Sequence, residues 1–268
     1  MMQFLRGDRE PEMPPPTTEP TSVEYGAAAF LLRRLVRPAT YTRALHAARD
    51  LPRWREINRR VGDRMLRVSG FTIVQIGAND GLRNDPVHRH MGHLPDALFV
   101  EPVPYYYGKL QHTYGSYPGV KFANVAVSGH DGTATMHAVL PEDGSDSRLR
   151  GSSSLDRTVI VKSEWVVKDA SRIIRPITVP TMRLSTLLDT FEVPRIDYLV
   201  VDTEGHDKVV IDQLDGLAPE RQPEFILYEH MHLTAPDKTQ LETHLQDNGY
   251  ALTQLRRDTF AQMNGPGI

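Results

Sequence analysis

Two stretches constrain this chain more than any others: FTIVQIGANDG at residues 71–81 and LFVEPVP at residues 98–104. An apolar run from Phe71 to Ile76 stops at Gly77-Ala78-Asn79-Asp80-Gly81, and a second run, Ala97 to Val100, stops on Glu101. The first predicts a buried strand entering a tight glycine turn. The second predicts a neighbouring strand whose end carries a carboxylate. In a doubly wound α/β sheet, such a pair of strand ends forms a nucleotide or nucleoside site. The turn lets backbone approach the ligand, and a carboxylate accepts hydrogen bonds from a ribose hydroxyl pair.

The rest of the chain repeats this grammar. IDYLVVDTEG and PEFILYEHMHL read as further buried strands with polar ends, separated by helical segments such as MRLSTLLDTFEV, KVVIDQLDGL and TQLETHLQDNGY. ALTQL is a last strand candidate, and VKFANVAVSG a third strand after the two above. Four strand ends are therefore polar: Gly77–Gly81, Glu101, Asp202–Glu204 and Glu229–His232. In an open parallel sheet that edge is the ligand edge. Residues 1–22, rich in Pro, Thr and Glu, predict a disordered tail. Residues 23–69 predict an N-terminal helical extension, cut into two or three helices by Pro38 and Pro52, that serves as a lid or a homodimer surface. Residues 70–268 form the α/β domain, in which the loop-rich stretch of about 141–176 is the expected substrate loop.

Composition narrows the function classes. A formal net charge of −3 on 268 residues carries no polyanion-binding signal, so no nucleic-acid partner is expected. The absence of cysteine excludes disulfides, thiolate nucleophiles, zinc ribbons and iron–sulfur clusters. No apolar run approaches the roughly 18 residues of a membrane span. The first residues lack the apolar core of a secretory signal, so no membrane association and a cytoplasmic location are expected. A dinucleotide cradle needs G-x-G-x-x-G, but Gly77, Asn79 and Leu82 stand at those places. No P-loop is present either. What remains is a wider turn, suited to a nucleoside without a pyrophosphate.

The ordered set IGANDG, VEPVP, NVAVSGHDGTAT, GSSSLDR, VPTMRLSTLLD, IDYLVVDTEGHD and YEHMHL, spread over residues 70–255, resembles the FkbM-type methyltransferase family. That resemblance implies a class I methyltransferase (Rossmann-like) fold. Such a fold has a seven-stranded, mostly parallel sheet with one antiparallel strand and helices on both faces. It also implies S-adenosylmethionine as cofactor and O-methylation of a hydroxyl on a sugar, glycoside or secondary metabolite. Carried over by position, Gly77, Ala78, Asn79 and Gly81 line the methionine and ribose, and Glu101 bonds the ribose hydroxyls. Pro102 and Val103 lie near the adenine, Val127 and Ser128 of NVAVSG cover it, and Asp202 sits where its strand meets the methyl group. One departure is Gln75, because the family's fold usually has an acid two residues before the first glycine. A neutral amide can bond the methionine amino group without charge assistance, with Asp80 expected to supply part of the missing charge.

The chemistry concerns the acceptor. An alcohol is about as weak an acid as water, pKa about 15.7, so the site needs positioning and then a base or a metal. Asp202 and Glu204 are two apart on a strand and share a face. Three readings stay open. Asp202, Glu204 or His230 acts as base or positions the hydroxyl, with His230 favoured among the histidines. Alternatively, Asp202, Glu204 and Glu229 hold Mg²⁺. In the third, the roles are structural, with Asp202 capping the helix near His206. Ser152, Ser153, Ser154, His206 and His232 are the expected contacts to a small-molecule or glycoside acceptor, with Arg157, Lys162 and Trp165 nearby. Two other functions compete: a nicotinamide-dependent oxidoreductase using Glu101 on a ribose, and a catalytically inactive cofactor-binding module. A glycoside hydrolase fits poorly, since carboxylates two apart on one strand do not flank a bond.

Overall fold

The computed structural model describes residues 38–82, 85–140, 151–162 and 173–264. The expected tail, residues 23–37, Trp165 and most of the expected substrate loop lie outside the described residues. The chain divides into two compact units, residues 1–49 and 50–268, and the second carries the α/β core.

The central sheet has seven strands: β1 Thr72–Ile76, β2 Asp96–Val100, β3 Val120–Ala123, β8 Tyr198–Val201, β9 Phe225–Glu229, β10 Tyr250–Gln254 and β11 Asp258–Met263. Their order is β3-β2-β1-β8-β9-β11-β10, and β11 alone runs antiparallel, inserted between β9 and β10. This is the class I methyltransferase topology that the resemblance implied. The sequence reading stopped at ALTQL and overlooked β11, whose DTFAQM follows it after only three residues.

Strand alternation sorts the core into two layers. Val74, Ile76, Leu98, Val100, Leu199 and Val201 pack on one face with Leu184, Leu187 and Leu188 of the helix Leu184–Thr190 and Leu241 and Leu245 of the helix Ala235–Asp247. Ile73, Ala97, Phe99, Tyr198, Val200 and Leu227 pack on the other. There they meet Leu110 and Tyr114 of the helix Pro104–Tyr114 and Ile57, Val61 and Met65 of the helix Pro38–Arg67. Each such fully buried side chain contributes about 1.5–3 kcal/mol. Residues 57–65 are thus part of the core of the second unit, and the expected boundary near residue 70 falls inside packed structure. From Pro38 to Arg67 the chain is one helix, so the break expected at Pro52 does not occur. That proline forfeits one backbone hydrogen bond without ending the helix.

A second, four-stranded sheet was not anticipated. It is built from β4 Ala126–Val127, β5 Gly132–Val139, β6 Ser153–Ser154 and β7 Ile174–Met182 in the order β4-β7-β5-β6. β5 and β7 pair antiparallel from Gly132–Thr181 to Val139–Ile174. VKFANVAV is therefore two strands in two sheets, and the region expected to be loop-rich contains a ladder. Among the described residues no helix is long and apolar enough to cross a membrane.

Candidate active site

Register places the site. Ile76 of β1 pairs with Val100 on one side and Val201 on the other, and Val201 pairs with Tyr228 of β9. Gly77, Glu101, Asp202 and Glu229, each one residue further, therefore stand in a row along the carboxyl edge of the sheet. They border a cavity of ≈ 870 Å³.

The turn after β1 is tightly tied. Gly77 and Ala78 donate their N–H groups to the Val100 carbonyl at 2.9 and 3.0 Å. Gly77 has φ 83°, and a Cβ there would collide with the Asp202 carbonyl oxygen, so only glycine fits. Asn79, at φ 49°, donates its backbone N–H to Glu101 Oε2 at 2.9 Å, while Val103 N–H reaches Glu101 Oε1 at 2.9 Å. Each Glu101 oxygen keeps a further lone pair for a ligand hydroxyl. Burial pushes the Glu101 carboxyl up to about 7, against the pull of the Val103 and Asn79 N–H groups.

Gly151–Ser154 straps the two sides of the cavity together. Asn79 Nδ2 donates to the Gly151 carbonyl at 3.0 Å. At the other end Ser154 Oγ donates to the Glu204 carbonyl at 2.8 Å. Ser152 and Ser153 line the cavity. Ser154 does not: it is 1% exposed, its hydroxyl is committed to Glu204 and to Asp156 N–H, and its expected contact with acceptor is replaced by a structural one.

The opposite wall is acidic. Glu204, in the left-handed region at φ 52°, points its Oε2 at His232 Nε2, 2.9 Å away. His232 Nε2 also lies 3.6 Å from Glu229 Oε2, an atom with no hydrogen-bond partner on a residue 4% exposed. Arg257 Nη2 holds the other Glu229 oxygen at 2.8 Å. Asp202 is open to the cavity but otherwise walled by protein. Poor hydration raises its carboxyl well above the usual range, and the charges of Glu204, Asp207 and Asp258 raise it further. Glu229 is raised as well, by burial and then by Asp202 and Glu204, against Arg257. Burial alone would lower Arg257, but these carboxylates outweigh it and hold it up. Asp202 and Glu229 therefore retain protons at pH values where isolated carboxyls have none. Asp207, not Asp202, secures the D-T-E-G turn: its Oδ2 accepts from Thr203 Oγ1 at 2.9 Å and Gly205 N–H at 3.2 Å. Burial pushes Asp207 up to about 7.

Of the other expected residues, Pro102, Val127, His206 and His232 line the cavity and Ala78 lines a smaller one beside it. Ser128 gives its backbone N–H to Met182 and sets its hydroxyl 3.4 Å from His206 Nε2. Burial, then His130, lowers His206. Gly81 packs on Tyr114, and Asp80 accepts the Leu82 N–H at 3.0 Å; neither lines either cavity. His230 differs most from expectation. Its Nδ1 lies 2.8 Å from Thr259 Oγ1, its backbone N–H is bonded to Arg257, and it lines neither cavity. Alternation along β9 sends it away from the side on which Glu229 lies. His232 stands where His230 was expected. The sequence reading missed Asp85, Arg257 and Asp258, which also line the cavity. Asp85 and Asp258 carried no motif, and β11, which places Asp258, went unseen.

A divalent ion would need donors that can surround it. Glu204, Glu229 and His232 offer ligand atoms within 4.8 Å of one another. However, Glu229 is already bound to Arg257, a charge that opposes a cation, and Asp202 is not part of that trio. The Asp202–Glu204–Glu229 set expected from sequence is therefore not the one assembled.

A family model described as Methyltransferase FkbM domain matches residues 75–252. No curated protein matches the chain. Among solved structures, it is similar to precorrin-6y C5,15-methyltransferase from Geobacter metallireducens GS-15, with 15% identity, 77% of this chain and 87% of that one covered, and a TM-score of 0.38. A second is magnesium protoporphyrin IX methyltransferase from Synechocystis PCC 6803 with bound S-adenosylmethionine, with 11% identity, 81% and 83% covered, and a TM-score of 0.38. A third is an N-methyltransferase from Bradyrhizobium japonicum WM9 in complex with S-adenosylhomocysteine, with 10% identity, 78% and 87% covered, and a TM-score of 0.35.

Proposed function

The chain belongs to the FkbM methyltransferase domain family and is an S-adenosylmethionine-dependent methyltransferase; from that premise we propose that it methylates a hydroxyl group of a sugar, glycoside or secondary metabolite. Membership sets the oxidoreductase alternative aside. The residues fit the cofactor. A buried carboxylate with lone pairs to spare suits a ribose diol, and a turn with no room for a Cβ suits close backbone approach.

When bound, S-adenosylmethionine supplies a methyl group on a cationic sulfur, which leaves as a neutral thioether. The protein's task is the acceptor. Glu204 takes the hydroxyl proton as the oxygen forms its bond to carbon, and His232, 2.9 Å away, holds the carboxylate in place. Asp202, on the cavity wall with a carboxyl raised by its surroundings, orients the acceptor oxygen by a hydrogen bond. Ser152 and Ser153 offer hydroxyls to the remaining acceptor groups. The observation that carries this reading is the Glu204–His232 pair on the cavity wall, on the strand end beside the glycine turn.

A screen of sugar and glycoside hydroxyl acceptors with methyl-labelled cofactor tests it, run with and without EDTA. Expected is labelled ether product that EDTA leaves undiminished. Labelled product formed only at nitrogen or carbon would overturn the hydroxyl assignment. Loss of product on chelation would favour the divalent-ion reading at Glu204, Glu229 and His232. Cofactor binding with no transfer to any acceptor would favour an inactive module.

A further inference from the structure

Beside the main cavity lies a smaller one of ≈ 120 Å³, walled by Trp54, Gln75, Gly77, Asp85, Asp202 and Asp258 together with apolar neighbours. Among the described residues no Lys or Arg borders it. Its chemistry is one-sided: among the described residues, three carboxyl groups, the amides of Gln75 and Asn79 and an aromatic ring.

Gln75 is 3% exposed and fixed in the middle of the sheet by β1. Its Nε2 donates to Asp85 Oδ2 at 3.0 Å. The reverse orientation would set two acceptors against each other, so this one is dictated. Its Oε1 is buried and has no partner. A buried amide oxygen without a donor is destabilising, which a ligand N–H would relieve. Asp85 is held independently, because its Oδ1 accepts the backbone N–H groups of Val87 at 2.6 Å and His88 at 2.9 Å. Among the described residues its Oδ2 bears only the Gln75 amide, and burial raises its carboxyl against those hydrogen bonds and the nearby His88.

We infer that Asp85 and the Gln75 side-chain oxygen form a subsite for a primary ammonium group, the α-ammonium of the cofactor's methionine moiety. This rests on the cofactor reading above and supplies what Gln75 alone lacks. The charge that an acid at position 75 would bring arrives instead from Asp85, ten residues further on, and not from Asp80. An ammonium has three N–H donors, enough to satisfy the orphaned oxygen and the Asp85 carboxylate together. The pocket is too small for the nucleoside, which leaves the amino-acid end as the occupant.

The test is calorimetric titration of the full chain with two ligands: S-adenosylhomocysteine, and 5′-methylthioadenosine, which keeps the nucleoside and sulfur but has no ammonium. Asp85→Asn is expected to weaken S-adenosylhomocysteine about 10- to 100-fold, the worth of a charge-assisted bond, and to leave methylthioadenosine unchanged. Adding Gln75→Glu to that variant returns a carboxylate to the pocket and is expected to recover part of the loss. Equal weakening of both ligands would mean that Asp85 only shapes the loop, and unchanged S-adenosylhomocysteine binding would mean that the ammonium lies elsewhere. Either result overturns the inference while leaving the cofactor reading intact. Wild-type protein that binds neither ligand overturns both.

Discussion

The turns that follow β1 and β8 occupy equivalent places at the sheet edge, and each has a non-glycine residue in the left-handed region: Asn79 at φ 49° and Glu204 at φ 52°. They are otherwise unlike. Asn79 tolerates that conformation, and its side chain is fully used, accepting from Asp80 N–H at 2.9 Å and donating to Gly151 at 3.0 Å. Glu204 has no such local remedy and is held there by others: Ser154 on its carbonyl, and Asp207 on the residues either side. The first turn is saturated with hydrogen bonds. Around the second, Glu229 Oε2, Arg257 Nε and Asp207 Oδ1 lack partners, and carboxyls crowd together that burial and each other's charges push above the usual range. The order of the first turn suits binding, and Gln75 Oε1, just ahead of that turn, is left as an acceptor for a ligand. Strain and unmatched polar atoms concentrate where chemistry is done.

Gly77→Ala strikes both turns and carries the largest expected effect. The added Cβ meets the Asp202 carbonyl at a left-handed φ, so the chain must shift at both strand ends. Expected are a loss of more than about 3 kcal/mol in stability and no measurable S-adenosylhomocysteine binding, read by thermal melting and calorimetry. A variant with native melting and native affinity would break the idea that the turns are locked together. Glu204→Gln separates them. Labelled methyl transfer should fall about 10²- to 10⁴-fold while S-adenosylhomocysteine affinity stays at the wild-type value. A parallel loss of affinity would make Glu204 part of the binding turn, and the comparison would collapse.

The legible parts were those where local pattern and global placement agree. An apolar run that breaks into glycine and polar residues identifies a strand end on one side of the break, so β1, β2, β8 and β9 and their terminal residues could be read. Pairing between distant segments could not. Nothing local in Gly132–Val139 announces its ladder with Ile174–Met182. The antiparallel β11, which brings Arg257 and Asp258 to the site, was missed for the same reason. Asp85 was invisible because its role depends on Gln75, whose amide comes within 3.0 Å only in the folded chain.

Glu101 sharpens the comparison through pH. Burial pushes its carboxyl up to about 7 in the unliganded protein, and only the ionised form accepts from both ribose hydroxyls while also holding both backbone N–H groups. Ligand binding therefore requires a proton to leave when the pH is below about 7. Affinity for S-adenosylhomocysteine should be flat above that value and fall by up to about tenfold per unit as pH drops through it. Glu101→Gln should bind more weakly at pH 8 and lose this dependence. A wild-type affinity that holds constant down to pH 5 would mean that the backbone N–H groups of Asn79 and Val103 already keep the carboxylate ionised.

His230 gives the smallest effect and the cleanest test of which histidine belongs to the second turn. Its Nδ1 is 2.8 Å from the hydroxyl of Thr259, a residue with 0% exposure, so it ties β9 to β11 behind the site. His230→Ala removes one buried hydrogen bond and should lower stability by about 1–2 kcal/mol, while transfer by the folded enzyme stays at the wild-type rate. His232→Ala removes the partner of Glu204 and should lower transfer sharply with a smaller change in melting. The two residues are two positions apart just beyond the end of β9, yet only His232 lines the cavity. If their effects were exchanged, the placement of His232 on the cavity wall and of His230 against Thr259 would be wrong, and the proton acceptor would have to be sought beside Thr259.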